Sequence, residues 1–168
     1  VRQADIAMYH SKEEGRDTYS FYNAQLDAIA TERHALETSL RQAFERHEFR
    51  LVYQPKADLR TGAIKGVEAL LRWRRADGSE IGPGKFIPIL EETGLIVPVG
   101  AWAMREACRQ LVEWDHLGLP PLNVAVNLSA RQFRQQDLIE HIAATLTEHG
   151  LPAGRLEIEL TESTLIED

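Results

Sequence analysis

The pattern of apolar and polar residues changes character twice along the chain. Residues 24–46 place apolar side chains at helical spacing, which predicts one long amphipathic helix. Two strand-like runs follow, at residues 49–54 and 64–73, and the turn residues between them predict a β-hairpin. From Ile96 onward, long amphipathic runs alternate with short apolar runs, so helices and strands are expected in alternation.

Helix-ending glycines and turn residues divide the remaining chain into elements. The predicted elements are a turn at 76–79, a breaker at 82–84, helices at 85–92, 96–117 and 137–149, and strands at 123–128 and 155–161. Alternation of this kind implies an α/β fold with parallel strands joined by right-handed crossovers. The pattern by itself does not choose between an open sheet and a barrel.

The predicted strand at 64–73 carries two opposite charges on one face. Side chains alternate along a strand, so Glu68 and Arg72 point to one side and Trp73 to the other. Charges in a run that is otherwise apolar are costly unless they are paired or bind a ligand. These residues therefore predict either an internal ion pair or a ligand or metal site.

The length, composition and charge of the chain limit the functions that it can have. The chain has 168 residues, 43% of them hydrophobic, which is enough for one domain with a core. Its formal charge of −7 argues against a DNA or RNA polymer as partner, because such binding depends on basic surface. A small phosphate ligand needs only a local cation or metal and stays possible.

The cellular setting follows from two further features. Cys108, in a helical run, is the only cysteine; it excludes an intrachain disulfide, suits the reducing cytoplasm and is expected to be a packing residue. No run has the apolar length of a membrane span, so we expect no membrane contact in this segment. Because the first residue is Val1, the chain is expected to be part of a longer protein, which other segments could anchor to a membrane.

Six ordered motifs together resemble the EAL family of cyclic di-GMP phosphodiesterases. They are Tyr53-Gln54-Pro55, Glu68-Ala69-Leu70-Leu71-Arg72-Trp73, Phe86-Ile87-Pro88, Glu91-Glu92-Thr93-Gly94-Leu95-Ile96, Asn127-Leu128-Ser129 and Glu157-Ile158-Glu159-Leu160-Thr161-Glu162. The resemblance implies a TIM-like (β/α) barrel whose first strand is antiparallel to the others, with only about half of the barrel present.

The resemblance also implies the site residues. Glu68, Asn127 and Glu159 match metal ligands, and two carboxylates with an amide suit Mg²⁺ or Mn²⁺ rather than zinc. Glu68 is thereby also a catalytic candidate. Arg72 and Gln54 match substrate-binding residues, and Glu162 matches a glutamate that steadies a mobile loop.

Most of these residues also have a structural alternative. Asn127 could form a turn ahead of a helix that Ser129 caps with a capping box, and Glu159 could face solvent at a sheet edge. Arg72 could pair with Glu68 in the absence of metal. Glu162 could begin the next helix, where the helix dipole favours an acidic residue.

The start of the chain resembles a second family. Ala4-Asp5-Ile6-Ala7-Met8-Tyr9, with Lys12 and Gly15-Arg16, is similar to the last helix and strand of a GGDEF domain, the diguanylate cyclase module. We therefore expect a GGDEF tail at 1–22, with a helix at 4–14 and a strand at 18–22, then a linker helix at 23–47 and the first half of an EAL domain at 48–168. The apolar stripe of the linker is typical of intramolecular packing, and a homodimer is the alternative.

These resemblances predict a cyclic di-GMP phosphodiesterase in a GGDEF–EAL signalling protein of bacteria. The expected reaction is two-metal hydrolysis of cyclic di-GMP to the linear dinucleotide. The family's Asp-Asp-Phe-Gly motif would follow Asp168, so the chain alone is expected to be inactive and to self-associate through its open sheet edge. The alternative is a non-catalytic EAL domain that binds cyclic di-GMP or a protein partner.

Overall fold

The computed structural model describes Met8 and residues 24–160. The chain divides into two compact units, Val1–Gln42 and Ala43–Asp168. Helix α1, Ala24–Glu45, begins in the first unit and ends in the second, which confirms the predicted long helix. Of its predicted apolar stripe, Leu36 and Leu40 are buried. The predicted helix at 4–14, apart from Met8, and the predicted strand at 18–22 lie outside the described residues.

The predicted hairpin consists of β1, Phe49–Ala57, and β2, Ile64–Arg74, which pair antiparallel. In the connection, the Asp58 carboxylate accepts hydrogen bonds from the backbone N–H of Arg60 at 2.8 Å and Thr61 at 2.9 Å. These bonds lower the pKa of Asp58 below its ordinary value. Strand β1 runs three residues past its predicted end. It forms one edge of the described sheet, where the missing N–H of Pro55 is tolerated.

The segment after the hairpin differs from the prediction. The turn at 76–79 is present, but a short strand β3, Glu80–Ile81, follows it and pairs with the end of β2. The predicted breaker is instead the start of helix α2, Pro83–Thr93, with Gly82 as N-cap. Proline suits the first turn of a helix, because the N–H that it lacks would have no partner there. Gly94 ends α2 in the left-handed conformation, at φ 80°.

The second half contains the predicted alternation. Its elements are α3 (Ile96–His116), β4 (Asn123–Leu128), α4 (Ala130–Phe133), α5 (Leu138–Glu148), a 3-10 turn (Ala153–Arg155) and β5 (Leu156–Leu160). Strand β4 is parallel to both β2 and β5, giving the order β1-β2-β4-β5 with β3 beside β2. The predicted parallel strands are therefore confirmed. Arg155, predicted to begin β5, belongs to the 3-10 turn instead.

The core lies between one face of this sheet and α3. Its buried members are Val67, Ala69, Ala107, Cys108, Leu111, Val124, Val126 and Leu151. Burial raises the pKa of the Cys108 thiol to about 11, so it stays protonated at neutral pH and serves as a packing residue, as predicted. The core thus uses odd-numbered side chains of β2, and the charged side chains of Glu68 and Arg72 lie on the opposite face together with Leu70.

An aromatic cluster closes the core at the end of the hairpin. The ring of Trp73 lies 6.2 Å from Phe49 and 5.9 Å from Phe86, and its Nε1 donates a hydrogen bond to Glu48 at 2.9 Å. Trp73 is fully buried. This cluster holds the end of β2 in place beside α2.

No single helix within the described residues has the length and apolarity needed to cross a membrane. Helices α2 and α3 meet that criterion only when they are taken together, and they bend by 120° at the break between them.

Candidate functional site

Charged and amide side chains share the face of the sheet opposite the core. The strand register places Gln54 beside Glu68 and Asn127 beside Glu159. Residues paired across neighbouring strands point to the same face. The polar face carries Gln54, Lys56, Glu68, Arg72, Asn123, Asn127, Glu157 and Glu159. All of the predicted site residues except Glu162 therefore lie on one face of four strands.

Glu68 and Asn127 are in direct contact. The Asn127 Nδ2 donates a hydrogen bond to Glu68 Oε1 at 2.7 Å, across the parallel pair of β2 and β4. With Nδ2 used in this bond, the amide oxygen of Asn127 is the atom able to bind a cation. Among the described residues no ion pair joins Glu68 to Arg72, so that alternative is not observed.

Asn127 lies within β4 rather than in a turn, and the cap lies two residues further on. Ser129 caps α4, and together with Gln132 it forms a capping box. Gln132 is buried against α3 at Gly100, where an added Cβ would lie 1.9 Å from Gln132 Nε2. Close packing of this glutamine on a glycine therefore anchors the end of the strand that carries Asn127.

Arg72 lies at the carboxyl end of β2. Its Nη1 donates a hydrogen bond to the Leu71 carbonyl at 2.9 Å. With Asn127, Ser129 and Glu91, it lines a cavity of about 270 Å³ at the ends of β2 and β4, whose remaining lining residues are mostly apolar. The carboxyl ends of parallel strands are where α/β folds bind ligands. Arg72 is thus placed to meet an anionic group that enters this cavity.

Glu159 is held by a residue that the sequence analysis did not select. The ammonium of Lys56 lies 2.5 Å from Glu159 Oε1 and 3.3 Å from Glu157 Oε2. The hydrogen bond to Glu159 is the main cause that raises the pKa of Lys56 above its ordinary value, so the lysine is charged at neutral pH. Lys56 was missed because the predicted strand ended at Gln54. Extending that strand by two residues would have placed Lys56 on the same face as Gln54.

The donor set can be compared with the needs of a divalent ion. Within residues 24–160, no group of three or more His, Cys, Asp or Glu side chains could hold a metal. The candidate set of Glu68, Asn127 and Glu159 contains only two carboxylates and depends on the amide as its third member. Three oxygen donors on neighbouring strands fit Mg²⁺ or Mn²⁺, which keep water molecules as further ligands. Glu162 lies outside the described residues.

Comparisons with known proteins agree on one family. A family model described as "EAL domain" matches residues 37–168. MucR of Pseudomonas aeruginosa, named a bifunctional diguanylate cyclase/cyclic di-GMP phosphodiesterase, is 46% identical over 98% of this chain and 24% of MucR. The cyclic di-GMP phosphodiesterase PdeR of Escherichia coli is 39% identical over the whole chain and 25% of PdeR. The chain spans about a quarter of the length of these two relatives.

Solved structures give the same assignment. The MucR phosphodiesterase in its c-di-GMP complex has 46% identity and a TM-score of 0.75, with 80% of this chain and 54% of that chain covered. The FimX EAL domain of Xanthomonas citri in complex with c-diGMP has 28% identity and a TM-score of 0.70, over 83% and 53% of the two chains. The predicted barrel fold, with about half of the barrel present, is thereby confirmed.

Proposed function

The chain belongs to the EAL domain family, and from this premise we propose that its protein hydrolyses cyclic di-GMP to the linear dinucleotide. In this reaction the oxygen of water forms a bond to one phosphorus, the bond between that phosphorus and one ribose oxygen breaks, and the released ribose oxygen takes a proton. The observation that carries the proposal is the contact between Glu68 and Asn127, on the same sheet face as Glu159. The relatives named as cyclic di-GMP phosphodiesterases support it.

We propose that Glu68, Asn127 and Glu159 hold Mg²⁺ or Mn²⁺. The chemistry that a bound divalent ion supplies is activation of a water and stabilisation of the leaving oxygen. Glu68 and Glu159 contribute negative charge, and Asn127 contributes a neutral oxygen while its amide nitrogen keeps the Glu68 carboxylate in position. The hydrogen bond to Asn127 leaves the second oxygen of Glu68 as a further acceptor.

Arg72 and Gln54 are proposed to bind the substrate. The guanidinium of Arg72 suits a phosphate group, since its N–H donors match two phosphate oxygens at once. Gln54 is exposed and lies beside Glu68 on β1, where an amide can form hydrogen bonds with a polar ligand. Glu162 is proposed to steady a neighbouring loop during the reaction.

The proposed domain order is a GGDEF tail at 1–22, a linker helix at 23–47 and an EAL segment at 48–168. The match of MucR over 98% of this chain supports this order, because MucR is named as bifunctional. A cytoplasmic setting is supported by the single buried thiol of Cys108. The acidic net charge argues against a nucleic-acid polymer as partner and is compatible with a small nucleotide that a local cation or metal binds.

The test uses the full-length protein with cyclic di-GMP and either Mg²⁺ or Mn²⁺, and linear dinucleotide is measured by chromatography. We expect turnover in the wild type and at least a hundredfold loss in Glu68→Gln, because the amide is a weaker ligand of similar volume. Circular dichroism is expected to show an unchanged fold. Glu140→Gln is the matched control, since it makes the same change at an exposed position on α5.

Two results would contradict the proposal. Near wild-type turnover by Glu68→Gln at saturating Mg²⁺ would remove Glu68 from the site. Tight binding of cyclic di-GMP by the wild type without any linear product would identify a receptor rather than an enzyme.

A further inference from the structure

The ammonium of Lys56, on β1, bridges two carboxylates of β5, which lies at the other end of the described strand order and presents them on the same face. It contacts Glu159 at 2.5 Å and Glu157 at 3.3 Å, although β1 and β5 lie at opposite ends of the strand order β1-β2-β4-β5. Three interstrand spacings separate these strands, about 14 Å along a flat sheet. The contact therefore requires the sheet to curl toward its polar face, as a barrel does.

Small residues lie below the path of this side chain. The register partner of Lys56 on β2 is Gly66, which has no side chain, and the register partner of Glu157 on β4 is Ala125. An added Cβ at Gly66 would lie 2.9 Å from the Asn123 carbonyl oxygen, so that position has no room for a side chain. The two small residues leave the polar face open to a lysine that reaches from one end of the sheet to the other.

The two carboxylates that contact the lysine differ in their other neighbours. Glu157 also accepts a hydrogen bond from Asn123 Nδ2 at 3.3 Å, whereas Glu159 is the register neighbour of Asn127. Glu159 is therefore the carboxylate level with Asn127, whose amide contacts Glu68. Glu157 lies one pair further toward the amino ends of the parallel strands, and it can hold the ammonium when Glu159 is engaged elsewhere.

We infer that Lys56 is the built-in counter-cation of Glu159 and that a divalent ion binds there only by displacing the ammonium toward Glu157. This inference rests on the proposed role of Glu159 as a metal ligand. A divalent ion bound to either carboxylate oxygen of Glu159 would lie close to the ammonium that Oε1 accepts at 2.5 Å, so the two cations would repel each other. Lys56 is thus a positioning residue that lowers metal affinity and keeps the acidic face neutralised without metal.

The expected change in metal affinity follows from the solvent exposure of the ion pair between Lys56 and Glu159. The side chains of Lys56 and Glu159 are 38% and 37% exposed, so solvent screens their interaction. Ion pairs of this kind change equilibrium constants by about two- to fivefold. Removing the ammonium is therefore expected to tighten metal binding by about three- to fivefold.

The test is calorimetric titration of the full-length protein with Mn²⁺ in the absence of nucleotide. Lys56→Met is expected to lower the Kd for Mn²⁺ about three- to fivefold, and Lys56→Arg to leave it within twofold of wild type. Lys65→Met, which removes the same charge from an exposed position on the other face of β2, controls for net charge and is expected to change nothing. Metal sites elsewhere in the protein cancel in this comparison.

Thermal unfolding provides a second measurement that does not depend on activity. Without metal, Lys56→Met leaves Glu157 and Glu159 uncompensated, so its Tm is expected to fall, and the rise in Tm on adding Mn²⁺ is expected to exceed that of the wild type. Lys56→Gln keeps a hydrogen-bond donor but has no charge, and its Tm is expected to change in the same direction. It replaces Lys56→Met in both measurements if Lys56→Met does not fold.

The Glu159→Gln variant separates the two proposals. If it weakens Mn²⁺ binding while Lys56→Met and Lys56→Gln bind as the wild type does, the displacement inference is wrong and the metal assignment stands. If Glu159→Gln binds Mn²⁺ like the wild type, Glu159 is not a ligand and both are overturned. Weaker binding by Lys56→Met would make the lysine a supporter of the metal rather than a competitor.

Discussion

The two faces of the central sheet are made of alternate residues from the same strands, yet they differ in almost every physical property. On one face Val67, Ala69, Val124 and Val126 are buried against α3. On the other, Glu68 and Glu159 stay partly exposed and are held by hydrogen bonds to Asn127 and Lys56. The first face supplies hydrophobic free energy, and the second carries charged and hydrogen-bonding groups. Stability and chemistry should therefore respond to different substitutions on neighbouring residues.

The difference follows from what each face can offer to a side chain. A carboxylate on the core face would lose its hydration without a partner, whereas on the polar face it keeps contact with water or with a hydrogen-bond donor. The strand period of two lets one short sequence serve both needs. Four experiments measure how far stability depends on the core face and ligand binding on the polar face.

Leu111→Ala should have the largest effect, and only on stability. Leu111 is 0% exposed in the core cluster between α3 and the sheet, so we expect a loss of about 2–5 kcal/mol in the free energy of unfolding. Leu59→Ala makes the same chemical change at a side chain that is 102% exposed, and it should change stability by less than about 0.5 kcal/mol. Urea denaturation measures both. Equal losses in the two variants would contradict the assignment of the core.

Arg72→Ala should affect substrate binding and leave stability nearly unchanged. Loss of charge-assisted hydrogen bonds to a phosphate costs about 1.5–3 kcal/mol, which corresponds to a KM for cyclic di-GMP raised about 10- to 100-fold. The Kd for Mn²⁺ should stay within twofold. Arg74→Ala, an exposed arginine two residues along the same strand, is the control. Collapse of metal binding with unchanged KM would show that Arg72 supports the metal ligands instead.

Ser129→Ala tests the helix cap that follows β4, the strand that carries Asn127. The Ser129 hydroxyl caps α4 and joins Gln132 in a capping box, so its removal should cost about 1 kcal/mol of stability. Ser129→Asp restores a capping oxygen and should recover most of that loss. Thermal unfolding of the three proteins measures the difference. If the Asp variant is no more stable than the Ala variant, the cap is not what stabilises this segment.

The ion pair of Arg50 and Glu80 should have the smallest effect. Its side chains are 43% and 48% exposed, and surface pairs of this kind contribute about 0.2–1 kcal/mol. A double-mutant cycle with Arg50→Ala and Glu80→Ala should give a coupling energy in that range, and it should shrink in high salt. A coupling above about 2 kcal/mol, insensitive to salt, would mean that polar contacts around the site stabilise the fold as much as the core does.

Local patterns predicted most of the elements, because each reports the period at which side chains are buried. The hairpin, the long helices and the parallel strands follow from apolar residues at periods of two and 3.6. The errors lie where one residue type has two uses. The predicted first strand ends at Gln54, whereas the edge strand β1 continues through Pro55. The segment with Pro83 is predicted as a breaker, whereas Pro83 begins helix α2.

For the site, the sequence by itself determined the candidate residues and the face that each would occupy, since motif and alternation are both properties of a continuous segment. Only the tertiary structure decided which residues touch. It paired Glu68 with Asn127 rather than with Arg72, and it brought Lys56 to Glu159, 103 positions away. Such contacts depend on strand order, register and the curl of the sheet. Those properties arise from packing between distant segments, which no local pattern contains.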